Sequence, residues 1–413
     1  MNSTARVLAG LVAGALVGLA LAGWLPGSAE RVADIVQPIG RLWLNALQMT
    51  VVPLVLSLVV VGVNTASDAA ASGRIARRAI VVFVILLAVG AFFTALCAPS
   101  LFALFPHSQA LTDALARALA MPVVAVSAPT GWAEWFNGIV PSNAIMAAAQ
   151  SAMLPLVVFG LFFGFALTRI EPTRRALVVE FFRAIADAMI VVVRWVLWAA
   201  PVGVFALILS VCARAGLHML GALGIYVLVE CLIYLAVTVM MLVVAVVWGG
   251  ERLSRFVAAA APAQVVAAST QSSLASLPAM LESAEHRLGY PQPVCALVLP
   301  MAVSLFRLTS PVQYVTSACF IAWATGIDVG VAQLLAGAAL AVVISLGSVG
   351  LPGQVSFMAT NLPVSQAMGL PVGPLGLMLA VDVLPDALAT LGNVTADLAA
   401  TSVVARRSAG DAG

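Results

Sequence analysis

The chain has 413 residues, 63% of them hydrophobic and 9% charged, with a formal net charge of +2 and a mean hydropathy of +1.11. A soluble protein of this length needs far more charge to cover its surface, so the composition specifies a polytopic membrane protein embedded in the lipid bilayer. With near-neutral charge and no basic tract, nucleic acid is excluded as a partner.

The first element is "RVLAGLVAGALVGLALAGWLPGSAE", from Arg6. Its apolar run exceeds a usual signal-peptide core and more spans follow, so it is read as the first transmembrane helix. All the basic residues are arginine, clustered at Arg74, Arg77 and Arg78, at Arg169, Arg174 and Arg175, at Arg252 and Arg255, and at Arg406 and Arg407. The positive-inside rule puts these clusters and Arg6 on the cytoplasmic side. Crossings then alternate over 7–25, 40–64, 79–105, 138–168, 184–212 and 219–248, with outside connections near 26–39, 106–130 and 213–218. Both termini are expected to be cytoplasmic, in the cell inner membrane. The five cysteines lie in or beside apolar segments without paired spacing and read as small buried hydrophobes.

Beyond residue 250 the pattern changes. An apolar segment ending at 283 is interrupted by "STQSS" and two prolines, and another over 330–367 carries "SLGSVGLPGQ" at its centre. Each is followed by a full span, about 291–325 and 374–405. Two interrupted segments in corresponding places suggest an inverted repeat with broken helices. Non-helical backbone at membrane depth is tolerated only where protein or a water-filled cavity covers it, and in secondary transporters such breaks form the substrate site.

The last span, "VDVLPDALATLGNVTADLAATSVVARR", carries Asp382, Asp386, Thr390, Asn393 and Asp397. At about 100° per residue these fall on one helix face, and the other faces are Val, Leu and Ala. Carboxylates inside a membrane are costly unless they meet cations, donors or water, so the stripe marks a site. Asp382 and Asp386 lie one turn apart on one helix, which is wrong for an aspartyl-protease dyad. "STQSS" has no nearby base, and no zinc-ligand spacing or phosphate loop occurs. The chain is therefore not an enzyme.

Together these motifs resemble the dicarboxylate/amino acid:cation symporter family. "LQMTVVPLVLSLVVVGV" (47–63) is similar to its second helix and "APVGVFALI" (200–208) to its fifth. "TQSSLASLP" (270–278) and "SLGSVGLPGQ" (345–354) resemble the tips of its two re-entrant hairpins, and "DVLPDALATLGNVTADLAAT" (382–401) its eighth helix. The resemblance implies an all-α fold of eight transmembrane helices plus two re-entrant hairpins, about 252–283 and 330–367. It further implies homotrimers and an elevator mechanism within a single integral membrane domain, 1–413. A scaffold part, about 1–78 and 138–215, would hold a moving transport part, about 79–105 and 219–407. Asp386 would receive the ammonium of a small-molecule substrate, with Thr390 and Asn393 on its carboxylate. Ser273, Val349, Gly350 and Leu351 would close over the substrate from the hairpin tips, with Ser310 beside it. Asp397 and Asn393, and the carbonyls of Ser304, Ser345, Leu346 and Ser348, match sodium positions. No other cofactor is implied.

This chain departs from the pattern. An arginine that pairs with an acidic substrate's side chain is here Ala389, while the ammonium-binding aspartate is kept as Asp386, which points to a neutral amino acid. The family's N-M-D-G-T stretch is here Phe306, Arg307, Leu308, Thr309 and Ser310, and two third-helix sodium ligands are Leu86 and Leu87. Sodium prefers hard oxygen ligands, which these side chains lack. Arg307 then has two readings: a tethered cation facing Asp386 and Asp397, or a ligand for a substrate carboxylate. The function expected is secondary transport of a small neutral amino acid with reduced or altered sodium coupling. Proton coupling through Asp382 or Asp386 stays open. The alternatives are a cation-coupled symporter of dicarboxylates or acidic amino acids using Arg307, and an anion-conducting, channel-like member.

Overall fold

A computed structural model describes residues 3–71, 73–107, 109–119, 138–347 and 353–410. Every regular element among them is helical. Bilayer chemistry requires this of a spanning chain, because a helix satisfies its own backbone groups within one segment. In chain order the helices are α1 (Ser3–Trp24), α2 (Pro26–Gln48), α3 (Val51–Ala71), α4 (Arg74–Phe102), α5 (Gln109–Leu119) and α6 (Ala144–Ala149). There follow α7 (Met153–Leu167), α8 (Pro172–Trp198), α9 (Ala200–Ala215), α10 (Leu217–Val247), α11 (Leu253–Thr270) and α12 (Ser273–Glu282). The last six are α13 (Gln292–Leu305), α14 (Thr309–Thr325), α15 (Val331–Gly347), α16 (Gly353–Ala367), α17 (Leu375–Val381) and α18 (Val383–Gly410).

Among the described residues six helical stretches are long and apolar enough to cross a bilayer. A seventh arises if α8 and α9, bent by 58° at Ala199, count as one span. The expected crossing over 138–168 is divided between α6 and α7, and the 15 residues of α7 fall short of a span by themselves. Two expected connections are corrected. Residues 26–39 are not a loop: Pro26 sits at the first helical position, where its missing N–H costs nothing, and α2 runs on to Gln48. The connection after residue 106 contains α5.

Each interrupted segment folds as a pair of packed helices. In the first, α11 ends on Gln271 in the left-handed conformation, and Ser272 caps α12 by accepting from the Ala275 N–H. In the second, α15 and α16 pack on each other and on α14, and the tip between them, 348–352, lies outside the described residues. The span over 291–325 breaks between α13 and α14 at Phe306–Leu308, where Phe306 leaves the helical region at φ −110°, ψ 76°. Arg307 sits in this break.

Close packing depends on small residues. In α1, Gly10, Gly14 and Gly18 face α9 so closely that a Cβ at Gly14 would lie 2.6 Å from the Phe205 carbonyl. This is the small-residue spacing that lets membrane helices approach backbone to backbone. The polar last helix lies at the centre: the window within Pro385–Arg406 is 83% buried, against 28% for α1. Helices α10, α11, α13 and α12 all pack on α18. A helix carrying two aspartates, with a third at its head, is therefore screened from lipid by its neighbours, as the cost of intramembrane charge demands.

Candidate functional site

Two local features build the site: the polar stripe of α17–α18 and the break between α13 and α14. They are tied by one hydrogen bond, in which the Thr309 backbone N–H donates to Asn393 Oδ1 at 2.9 Å. Thr309 begins α14, so its N–H lacks an intrahelical acceptor and Asn393 supplies one across the helices. Asn393 is buried at 5% exposure. Because its oxygen faces Thr309, its amide NH2 is the end presented to a ligand, which suits a carboxylate better than a metal ion.

Arg307 is partly exposed. It interacts electrostatically with both Asp386 and Asp397. Among the described residues no ion pair closes between them, so the attraction acts across a gap. The Arg307 carbonyl accepts from Ser345 Oγ at 3.4 Å, which brings the end of α15 to the same break. Asp397 is 1% exposed, and its Oδ1 has no hydrogen-bond partner among the described residues. Packing by neighbouring helices, not depth along α18, sets its burial.

The remaining candidates fall around this centre. Asp386 keeps partial exposure, and Thr390, one turn on, donates its hydroxyl to the Asp386 carbonyl at 2.9 Å. Ser310 and Ser345 are buried, Leu346 is partly buried, and Ser304 is exposed with its hydroxyl on the Pro300 carbonyl. Ser273 opens α12, which packs on α18. Hairpin and stripe are further joined by Gln264, whose amide donates to Thr395 Oγ1 at 2.9 Å. Ser348, Val349, Gly350 and Leu351 lie outside the described residues. Asp382 joins α17 to α18 and accepts from Gln313 Nε2 at 2.6 Å.

Next to the break the interior is apolar. Phe306 and Leu308 are fully buried. The Phe306 ring stacks on Phe83 of α4, centroids 4.8 Å apart and 8° from parallel. Leu86 and Leu87 of the same helix are buried, and a Cβ built at Gly90 would lie 3.0 Å from Leu308.

One group was not singled out from the sequence. Glu230, in the middle of α10, is fully buried, and Tyr234 donates to its Oε1 at 3.0 Å. The signal available was a lone acid inside an apolar span, with tyrosines four residues to either side.

The profile of the sodium:dicarboxylate symporter family matches residues 4–407. The chain belongs to that family. Similar members of the sodium:dicarboxylate symporter family include the "Proton/glutamate-aspartate symporter" of Escherichia coli, 30% identical over 97% of this chain and 92% of that one. The "C4-dicarboxylate transport protein 2" of Ralstonia nicotianae is 30% identical over 98% of this chain and 90% of its own length. The rabbit "Neutral amino acid transporter B(0)" is 28% identical over 94% of this chain and 76% of its own. Family membership makes this an integral membrane transporter protein, not an enzyme, and the family couples transport of dicarboxylates and amino acids to cations.

Proposed function

We propose that this chain is a secondary active transporter of a small neutral amino acid, with reduced or altered sodium coupling. The carrying observation is the dry aromatic and aliphatic packing of Phe306, Leu308, Phe83, Leu86 and Leu87 beside a permanent cation, Arg307. A deep sodium site needs several hard oxygen ligands around the ion, and none of these five side chains carries one. The guanidinium attracted to Asp386 and Asp397 supplies positive charge that a free ion would otherwise bring. A tethered charge cannot dissociate into the other compartment, so it neutralises the site without coupling it to a gradient.

Asp386 would hold the substrate's ammonium, the Asn393 amide and Thr390 its carboxylate, and Ser273, Ser310 and the second hairpin tip would enclose it. Ala389, buried in the stripe, offers no charge to an acidic side chain. The relatives' printed substrates span glutamate, aspartate, C4-dicarboxylates and neutral amino acids, so the family leaves the choice open. Movement of a transport part (about 79–105 and 219–407) against a scaffold part within homotrimers of the inner membrane belongs to the same proposal.

A second reading has its own support. Arg307 is partly exposed and, among the described residues, forms no ion pair at contact distance, which leaves its fork available to a substrate carboxylate.

Counterflow in proteoliposomes decides between them. Labelled neutral amino acids, aspartate and succinate are offered with sodium, with potassium only, and under a pH gradient. Neutral amino acid exchange that ignores sodium and is lost in Arg307→Met is expected. Sodium-driven uptake of aspartate or succinate overturns it and moves Arg307 to the substrate's carboxylate.

A further inference from the structure

A second buried polar cluster lies beside the stripe, formed where α10 packs on α14 and α18. Its centre is Glu230, fully buried on α10. Tyr234 donates to Oε1, while Oε2 has no hydrogen-bond partner among the described residues. Tyr226, on the other side of Glu230, shares a 3.3 Å hydrogen bond with Ser317 of α14. Gln313, also on α14, holds Asp382 at 2.6 Å, and Tyr226 and Gln313 both approach the Glu230 carboxylate without closing a full bond on Oε2. Asp382 and Asp386 lie within electrostatic reach of Glu230.

The charges around the cluster decide what it can hold. On α10 itself the titratable neighbours are Tyr226, Cys231 and Tyr234, all neutral acids. From α17–α18 come Asp382 and Asp386, and from α14 only the neutral Gln313 and Ser317. The arginines of the other helices packed on α10 sit at helix ends: Arg74, Arg77 and Arg78 open α4, Arg214 closes α9, and Arg255 lies in the first turn of α11. Asp113 of α5 is exposed. Arg307 acts on Asp386 and Asp397. Among the described residues no cation acts on Glu230 or Asp382, and two facing carboxylates cannot both stay ionised away from water. One of them must carry a proton or wait for one.

We infer that Glu230, with Asp382 at the head of the stripe across from it, forms a proton-binding site of the transport cycle, separate from the substrate position at Asp386. A hydronium ion of the bulk water gives its proton to a lone pair of Glu230 Oε2: one O–H bond breaks as the new one forms, a water molecule is left behind, and one negative charge is removed from the interior. Tyr234 orients Oε1, and the Gln313 amide fixes Asp382, so the unpartnered Oε2 is the open position. Asp386 is near enough to sense the change. A substrate ammonium on Asp386 and a proton on Glu230 then remove neighbouring negative charges together, which favours their joint transfer.

The inference rests on the transport reading for its coupling role, so its test has two parts. In proteoliposomes, Glu230→Gln, which mimics the protonated form, is expected to keep substrate counterflow while losing accumulation driven by a pH gradient by tenfold or more. Wild-type accumulation under a pH gradient that survives in Glu230→Gln overturns the site, as does wild-type transport driven by sodium alone with no response to pH. Failure of wild-type counterflow overturns the transport reading instead, and infrared titration of the purified full chain still decides the proton site. A protonated-carboxyl carbonyl band that changes with pH is expected in the wild type and absent in Glu230→Gln. Tyr234→Phe, which keeps the packing, is expected to displace the midpoint of that band. A band unaffected by both substitutions assigns the titrating group elsewhere.

Discussion

At the scale of single residues, function turns on what a partly exposed cation does inside the bundle. A guanidinium among aspartates can act as a charge or as a fork. Lysine keeps the charge and loses the planar, bidentate geometry. If Arg307 is a tethered cation, Arg307→Lys should retain neutral amino acid exchange within about threefold. If it grips a substrate carboxylate in two-point fashion, the same substitution should weaken uptake about tenfold or more, since a lost charged hydrogen bond is worth roughly 1.5–3 kcal/mol. Counterflow KM in proteoliposomes separates the two. Asn393 shows what sequence leaves unsaid at this scale. Its place on the stripe was legible from periodicity, but its use was not, because the Thr309 N–H that turns its oxygen inward is 84 residues away in the chain.

At the scale of elements, α3 and α15 meet backbone to backbone. A Cβ at Gly347 would lie 2.5 Å from the Leu58 carbonyl, and one at Gly62 would lie 2.6 Å from Gly347 Cα. Helix α3 falls in the expected scaffold and α15 in the expected moving part, so this contact is one that the proposed elevator must slide or break. Gly347→Val should cost roughly 1–3 kcal/mol of overpacking. Its melting temperature should fall by a few degrees, while exchange in proteoliposomes should drop far more than stability does. Equal, small losses in both would make the contact ordinary packing. The two hairpins were readable as apolar segments with polar, proline-bearing interruptions. The packing of the first hairpin on α18 was not, because "STQSS" marks where a helix breaks and not what covers the break.

At the scale of the whole molecule, arginine placement predicts both termini on the cytoplasmic side. In a background lacking the five native cysteines, Gly27→Cys should react with an impermeant maleimide added outside right-side-out vesicles. Glu171→Cys should react only after the membrane is opened. Both positions are exposed, and a Cβ at Gly27 meets no atom within 4 Å. Reversed labelling would invert the topology and move the hairpins to the opposite faces.

Membrane class, the order of apolar segments, the positions of the breaks and the polar face of the last helix all came from sequence alone. These are one-dimensional properties: bilayer thickness sets segment length, and a fixed helical period sets which residues share a face. The helical run from Pro26 to Gln48 escaped that reading because a loop and an amphipathic helix can have similar mean polarity. Only the tertiary structure decided that Phe306 stacks on Phe83, that Asp397 is sealed at the centre, and that Glu230 joins Asp382 and Gln313 in a second polar cluster. Those meetings depend on which faces of distant helices pack together. No local period encodes that choice; it is set by how small residues, ring stacks and buried polar groups satisfy one another across the whole bundle.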